Sequence, residues 1–248
     1  MRNIFKKIGR LLHKLSSEPN IGSLRVTNGS IQYVLRTGKK GKNASVELSG
    51  GTLEEALVKL HGQISAKKEE VIKVVVSLPA DVVYTQSFKV PYVKEEEMEE
   101  SASLNLRMIT PIEAKNAFMD WQNIRETENQ RELLGAFVEK KNVEEIQKAL
   151  ENANFYAATF EFPALGISRL MEKENEEESS PKLIIEISSD GMDFFIVKNG
   201  AMHFDYFILW KEMQSEEKEI PKEVFEERLG QEVRRVLNFA EGKTGGSI

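Results

Sequence analysis

The order hairpin, third strand, amphipathic helix occurs twice in this chain, and that duplication constrains the fold more than any single motif. In the first copy, Ser23–Thr27 and Ser30–Arg36 flank Asn28-Gly29, a dipeptide that favours a type I′ hairpin because both central residues there need positive φ. A glycine-rich turn over 37–42 leads to a strand near Ala44–Leu48. Thr52, with Glu55 three residues on, predicts a capped helix whose buried stripe is Leu53, Ala56, Leu57, Leu60 and Ile64. Val71–Leu78 closes the unit as an apolar strand. Downstream, Leu183–Ser188, Phe194–Lys198 and Ala201–Leu209 predict three strands joined at Ser189-Asp190-Gly191 and Asn199-Gly200. A helix follows from about Lys222 to Ala240, burying Phe225, Leu229, Val233, Val236, Leu237 and Ala240.

A different unit lies between the copies. Val82–Val90 alternates, with Val82, Tyr84, Gln86 and Phe88 facing one way, and Lys94–Met108 predicts a helix with Met98, Ala102 and Leu106 inward. Strands near Asn116–Ile124 and Glu132–Val138 and a helix capped by Asn142, with Glu145 at its third position, complete the insert. The expected organisation is therefore α/β: a terminal helix over 1–18, a first lobe over 19–80 and 155–172, an inserted α+β subdomain over 81–154, a linker over 173–181 and a partial second lobe over 182–248.

The first fifteen residues predict a basic amphipathic helix. Ile4, Phe5, Ile8, Leu11, Leu12 and Leu15 form its apolar side, and Arg2, Lys6, Lys7, Arg10 and Lys14 the other. Two docking modes are open to it, an anionic membrane surface met through Phe5, Lys6, Lys7, Ile8, Arg10, Leu11, Leu12 and Lys14, or its own domain or a partner. It lacks the uninterrupted apolar stretch and cleavage site of a signal peptide. No run of about 18 apolar residues occurs, which argues against a transmembrane helix.

Composition then excludes whole classes of chemistry. The net charge of −6 is the wrong sign for a general nucleic-acid binder. With no cysteine there is no thiolate zinc site or thiol nucleophile, and the three histidines, His13, His61 and His203, show no paired ligand spacing. Gly41-Lys42 is followed by Asn43, and Gly242-Lys243-Thr244 has Leu237 where a phosphate loop needs its first glycine. Metal-ligating residues are therefore not expected.

A duplicated unit with a subdomain inserted in the first lobe resembles the actin-like ATPase superfamily, in its FtsA-like branch. Val75-Val76-Ser77-Leu78-Pro79, Val83-Tyr84-Thr85, Val90-Pro91, Met108-Ile109-Thr110-Pro111-Ile112-Glu113, Asp120-Trp121-Gln122 and Glu161-Phe162-Pro163-Ala164-Leu165 are similar to segments of the type IV pilus assembly protein PilM family. The resemblance implies two phosphate turns, each normally an Asp-Ile-Gly run whose carboxylate serves the magnesium of ATP. Arg25, Val26 and Thr27 stand at the first, ahead of Asn28 and Gly29, and Glu186, Ile187 and Ser188 at the second, ahead of Ser189, Asp190 and Gly191. An arginine does not ligate a cation, and threonine puts a β-carbon where close approach is needed. The family's second lobe also continues past the long helix, whereas this sequence stops at Ile248. The expectation is a non-catalytic scaffold of type IV pilus assembly on the cytoplasmic face of the inner membrane, with no cofactor, ATP with magnesium being the alternative. The resemblance further implies that a peptide of a PilN-like membrane protein docks beside the insert, on Val83, Phe88, Val90, Met98, Ala102 and Leu106. An active ATPase and a generic cytoplasmic adaptor are the competing readings.

Overall fold

The computed structural model describes residues 21–37, 40–174, 180–213 and 220–244. Everything expected of the N-terminal helix, including its membrane-facing set from Phe5 to Lys14, lies outside the described residues, as does most of the expected linker. The chain divides into two compact units, at Pro163 and Ala164.

In the first unit β1 (Gly22–Val26), β2 (Ser30–Thr37) and β3 (Lys40–Glu47) form an antiparallel meander. α1 (Leu53–Ile64) then carries the chain across to β4 (Ile72–Ser77), which pairs parallel with β1. After the inserted elements, β8 (Phe155–Glu161) pairs parallel with β4, giving the order β3-β2-β1-β4-β8. α1 starts where Thr52 and Glu55 cap each other's amides, at 3.2 and 2.9 Å. Its buried stripe of Ala56, Leu57, Leu60, His61 and Ile64 meets Leu24, Val26, Ile31, Tyr33, Val74 and Val76 on one face of the sheet. His61 is a packed histidine: its Nε2 lies 2.8 Å from the Glu70 carbonyl and its ring stands edge-on to Phe155.

The insert is β5 (Val83–Pro91), α2 (Glu95–Ile109), β6 (Ala117–Glu126) and β7 (Gln130–Glu139), with sheet order β5-β7-β6. Met98, Ala102 and Leu106 of α2 are inward as expected, against Val90, Trp121, Leu133 and Phe137. The helix of residues 140–152, α3 (Lys140–Asn152), differs from expectation in two ways. It begins directly from β7, with Glu139 in the cap position and no side-chain cap, so Asn142 lies within it. Its stripe of Val143, Ile146, Ala149 and Leu150 joins the core of the first sheet, so it belongs to the lobe and not to the insert. β5 also begins one residue later than expected, because Ala80–Val82 form a 3-10 turn.

The second unit takes in α4 (Pro163–Glu174), expected in the first lobe, followed by β9 (Lys182–Ile187), β10 (Gly191–Lys198) and β11 (Ala201–Leu209). A short turn, α5 (Trp210–Met213), and the long α6 (Lys222–Thr244) follow. The sheet is antiparallel in the order β11-β10-β9. Phe225, Leu229, Val233, Val236 and Ala240 of α6 pack on Met192, Phe194, Ile196 and Ile208. The sequence repeat is thus a structural repeat, β1-β2-β3 matching β9-β10-β11. In the first copy β1 has a further neighbour in β4; in the second, β9 is the last strand of the sheet among the described residues.

Candidate functional site

The first turn expected to hold phosphate is built by Thr27. The residue is 5 % exposed at the end of β1, and its backbone N–H donates to the Ser30 carbonyl at 2.9 Å. Its Oγ1 accepts the Ser30 N–H at 2.9 Å and donates to the Ser30 carbonyl at 3.0 Å. The hydroxyl thus occupies an amide that an anion-binding turn would present to a ligand. Asn28 and Gly29 do not take positive φ, so the expected type I′ geometry is absent there. It occurs instead at Asn199-Gly200, with φ of 51° and 70°. Asn28 Nδ2 donates to Asp81 Oδ2 at 3.1 Å, which ties the turn to the 3-10 segment after β4. Arg25 stands in a row across the sheet with Gln32, Ser77 and, through Ser77, Glu161. A guanidinium in that row supplies charge of the same sign as a magnesium ion and no lone pair to hold one.

The second turn repeats the arrangement with serine. The Ser188 N–H donates to the Gly191 carbonyl at 2.9 Å, while its Oγ accepts from Asp190 N at 3.2 Å and Gly191 N at 3.3 Å. Ser189 Oγ donates to Asp190 Oδ1 at 3.2 Å. Trp210 braces the loop: its Nε1 donates to the Ser188 carbonyl at 2.9 Å and its backbone N–H to Asp190 at 3.1 Å. Gly191 has a structural reason to be glycine, since a β-carbon there would collide with the Ile208 carbonyl of β11. Glu186 points to the same face as its cross-strand partner Asp193, which is 2 % exposed.

The same device closes a third hairpin, between β6 and β7. Thr127 N and Oγ1 both reach the Gln130 carbonyl at 2.9 Å, and Gln130 N donates to Thr127 Oγ1 at 3.2 Å. This hairpin corresponds to no phosphate turn in the resemblance. The first and second turns therefore have the internal bonding of ordinary hydroxyl-closed hairpins. Sequence reasoning missed this closure, along with the roles of Asp81 and Trp210; its signal is a Ser or Thr directly before a two-residue polar turn.

The residues expected to meet a peptide fall differently. Val90, Met98, Ala102 and Leu106 are at most 3 % exposed and form the insert's own core, and Phe88 packs against them. Val83 packs at the edge of the first-lobe core. Val90, Met98, Ala102 and Leu106 therefore present almost no surface to an incoming chain, whereas Val83 and Phe88 are half-buried. The side chains of β5 that are exposed are Tyr84, at 50 %, Gln86, Lys89 and Pro91. Among the described residues there is no cluster of three or more His, Cys, Asp or Glu placed to hold a metal ion. No helix among them is long and apolar enough to cross a membrane.

A duplicated three-strand meander with a helix on its face, the first copy extended by parallel strands and carrying an inserted α+β subdomain, defines the actin-like α/β class. Among solved structures, the chain is similar to the PilM-PilN type IV pilus biogenesis complex, with a TM-score of 0.73 and 17 % identity over 90 % of this chain and 78 % of that one. It is also similar to the cytoplasmic domain of EpsL, an inner membrane component of the type II secretion system of Vibrio cholerae, with a TM-score of 0.51 and 12 % identity over 82 % of this chain and 80 % of that one. At these identities the likeness is one of fold, and the fold is PilM-like. No family model and no curated protein matches the sequence.

Proposed function

We propose that this chain is a non-catalytic actin-like scaffold of type IV pilus assembly, working at the cytoplasmic face of the inner membrane and binding a segment of a PilN-like membrane partner. The observation that carries the non-catalytic half is the closure of both phosphate turns by Thr27 and Ser188, together with Arg25 in the place of a magnesium-serving carboxylate. An ATP phosphate entering either turn would have to displace a protein hydroxyl from the amides it already satisfies. The partner half rests on the likeness to a structure solved as a PilM-PilN complex. Because Val90, Met98, Ala102 and Leu106 are internal, they act as the rigid floor of the insert, and contact falls to solvent-facing neighbours such as Tyr84 and Gln86.

Two titrations test this reading. A nucleotide with a Kd of about 10 μM, present at about 1 mM with magnesium, would stabilise the fold by about 2.7 kcal/mol. The expected result is no shift of the thermal midpoint. A shift abolished by Glu186→Ala would instead establish an ATP-binding protein. In parallel, a labelled peptide from the cytoplasmic segment of a PilN-like protein is expected to bind the full chain, and to bind more weakly after Tyr84→Ala. Absence of binding at about 100 μM peptide would turn the reading to an adaptor outside pilus assembly.

A further inference from the structure

α2 is buried along Met98, Ala102 and Leu106, and the face beside that stripe is apolar and open. Leu104 is 55 % exposed and Met108, one turn on, 84 %, whereas α1 exposes only Val58 among its large apolar side chains and α3 none. Ser101 and Glu97 precede them on the same face, so the open seam is Glu97, Ser101, Leu104 and Met108, spaced by four, three and four residues. Around the first turns of the helix Glu96, Glu97, Glu99 and Glu100 are all exposed. The seam thus has an acidic end and an apolar end.

One segment of the chain fits that seam. Ile4, Ile8, Leu11 and Leu15 form the apolar line of the amphipathic helix expected over the first fifteen residues, and they have the same spacing of four, three and four. Helices with matching seams pack side by side, parallel or antiparallel. Charge selects the parallel direction. Position 4 then lies level with 97 and 15 with 108, so Arg2, Lys6 and Lys7 come level with Glu95, Glu99 and Glu100, and Leu11, Leu12 and Leu15 fall beside Leu104 and Met108. Lys14, level with Arg107, is the exception. The antiparallel direction sets the leucines among the glutamates. Reach selects the same answer. Leu106 lies against Gly135, which pairs with Gln86 near the start of β5, whereas Glu95 joins Arg131, which pairs with Val90 near its far end. The C-terminal end of α2 is therefore the end nearer the first lobe, on which Val83 packs. Seven residues from Leu15 to Gly22, where β1 begins, span at most about 25 Å, and an antiparallel segment would need about 16 Å more to bring Leu15 to Glu97.

We propose that residues 4–15 dock on the exposed seam of α2 in the same chain and parallel to it, with Ile4, Ile8, Leu11 and Leu15 against Glu97, Ser101, Leu104 and Met108. A segment held through so short a tether has an effective concentration of about 1 mM, so a contact with a Kd of about 0.1 mM is occupied about nine-tenths of the time. The apolar side that meets α2 is the side a lipid surface would take, so the two modes exclude each other. The inference rests on the sequence pattern of the first fifteen residues and stands apart from the pilus reading.

The chain has no cysteine, so introduced thiols report without background. In the dilute full chain, Leu15→Cys with Met108→Cys is expected to form a disulfide within one molecule under mild oxidation, and Leu15→Cys with Glu97→Cys is not, because the bond needs Cα atoms within about 7 Å. Ser101→Cys places a thiol on the seam and leaves Leu104 and Met108 in place. Its alkylation is expected to run about tenfold slower than in the same variant carrying Leu11→Glu, and slower still with Arg107→Glu, which sets a carboxylate level with Lys14. Glu97, Arg107 and Met108 are exposed, so these substitutions leave the core of the insert intact, which circular dichroism checks. Equal alkylation with and without Leu11→Glu, a disulfide that forms only between molecules, or equal yields from the two cysteine pairs would each overturn the proposal. Equal alkylation, with co-sedimentation on anionic vesicles that Leu11→Glu abolishes, would assign the segment to a membrane surface instead.

Discussion

Thr27→Val removes the hydroxyl that closes the first turn while keeping the shape of the side chain. The variant leaves the Ser30 N–H, in a residue 5 % exposed, without the acceptor it has at 2.9 Å. The Ser30 carbonyl keeps the Thr27 N–H at 2.9 Å, so one donor is orphaned and no acceptor is. A buried unsatisfied donor costs about 1–3 kcal/mol, and about 2 kcal/mol is expected here. Ser188→Ala makes the comparison. Its oxygen accepts at 3.2 and 3.3 Å in a half-buried loop that water reaches, so about 0.5–1 kcal/mol is expected. Native-state amide exchange reads each turn locally, which avoids treating two units as one cooperative transition. A local loss of about 2 kcal/mol speeds exchange at Ser30 about 30-fold, and the serine variant speeds exchange at Asp190 and Gly191 about threefold. Equal small effects at both turns would refute the view that Thr27 is the bond closing β1 to β2, and with it the argument that an anion must compete for that amide.

Other substitutions probe the remaining packing. Leu106→Ala is expected to cost about 2–5 kcal/mol in urea unfolding, because the side chain is 3 % exposed between α2 and β7; loss of peptide affinity at unchanged stability would return Leu106 to a binding surface. Gly135→Ala puts a β-carbon 2.6 Å from Leu106 Cδ2 and 3.1 Å from the Phe137 ring, and about 1–3 kcal/mol of overpacking is expected in the same assay. Tyr33, 3 % exposed, titrates above its ordinary 10.0 because burial disfavours the phenolate and the charge of Glu70 adds to that. The unfolded chain ionises first, so this contribution is complete below pH 10 and is lost as pH rises through the folded value, with a slope of up to about 1.4 kcal/mol per pH unit; Tyr33→Phe is expected to flatten that slope. On α6, Glu232 is 4 % exposed between Arg228 at 3.3 Å and Arg235 at 3.6 Å, whose side chains are 42 % and 67 % exposed. Replacing both arginines by alanine strands a buried carboxylate at about 3 kcal/mol, whereas Glu232→Gln returns two half-wet cations to water at about 1 kcal/mol or less, and the reverse order in thermal unfolding would refute the asymmetry.

The sequence pattern was legible where the physics is local and illegible where a neighbour decides. Thr52 and Glu55 announce the start of α1 because both halves of the box lie within four residues. The dipeptide Asn-Gly appears twice between paired strands, yet only Asn199-Gly200 has positive φ at both residues. The residue before it separates the two cases: Lys198 has no hydroxyl to offer, whereas Thr27 Oγ1 takes the closing amide and holds the loop in another conformation. Asn142 has the right neighbours for a helix cap, but the stripe of Val143, Ile146, Ala149 and Leu150 aligns on the first-lobe core only if the helix runs straight out of β7. The expectation that Met98, Ala102 and Leu106 meet a peptide directly gives way for the same reason. Periodicity shows that Met98, Ala102 and Leu106 share a face, but whether that face meets a partner or its own sheet depends on β7, some thirty residues away, which brings Leu133 and Phe137 beneath them. Degeneracy at Arg25, Thr27 and Ser188 was visible as letters. That the hydroxyls of Thr27 and Ser188 bond the amides of their own turns, as Thr127 does in a hairpin that matches neither expected phosphate turn, required the geometry of each hairpin.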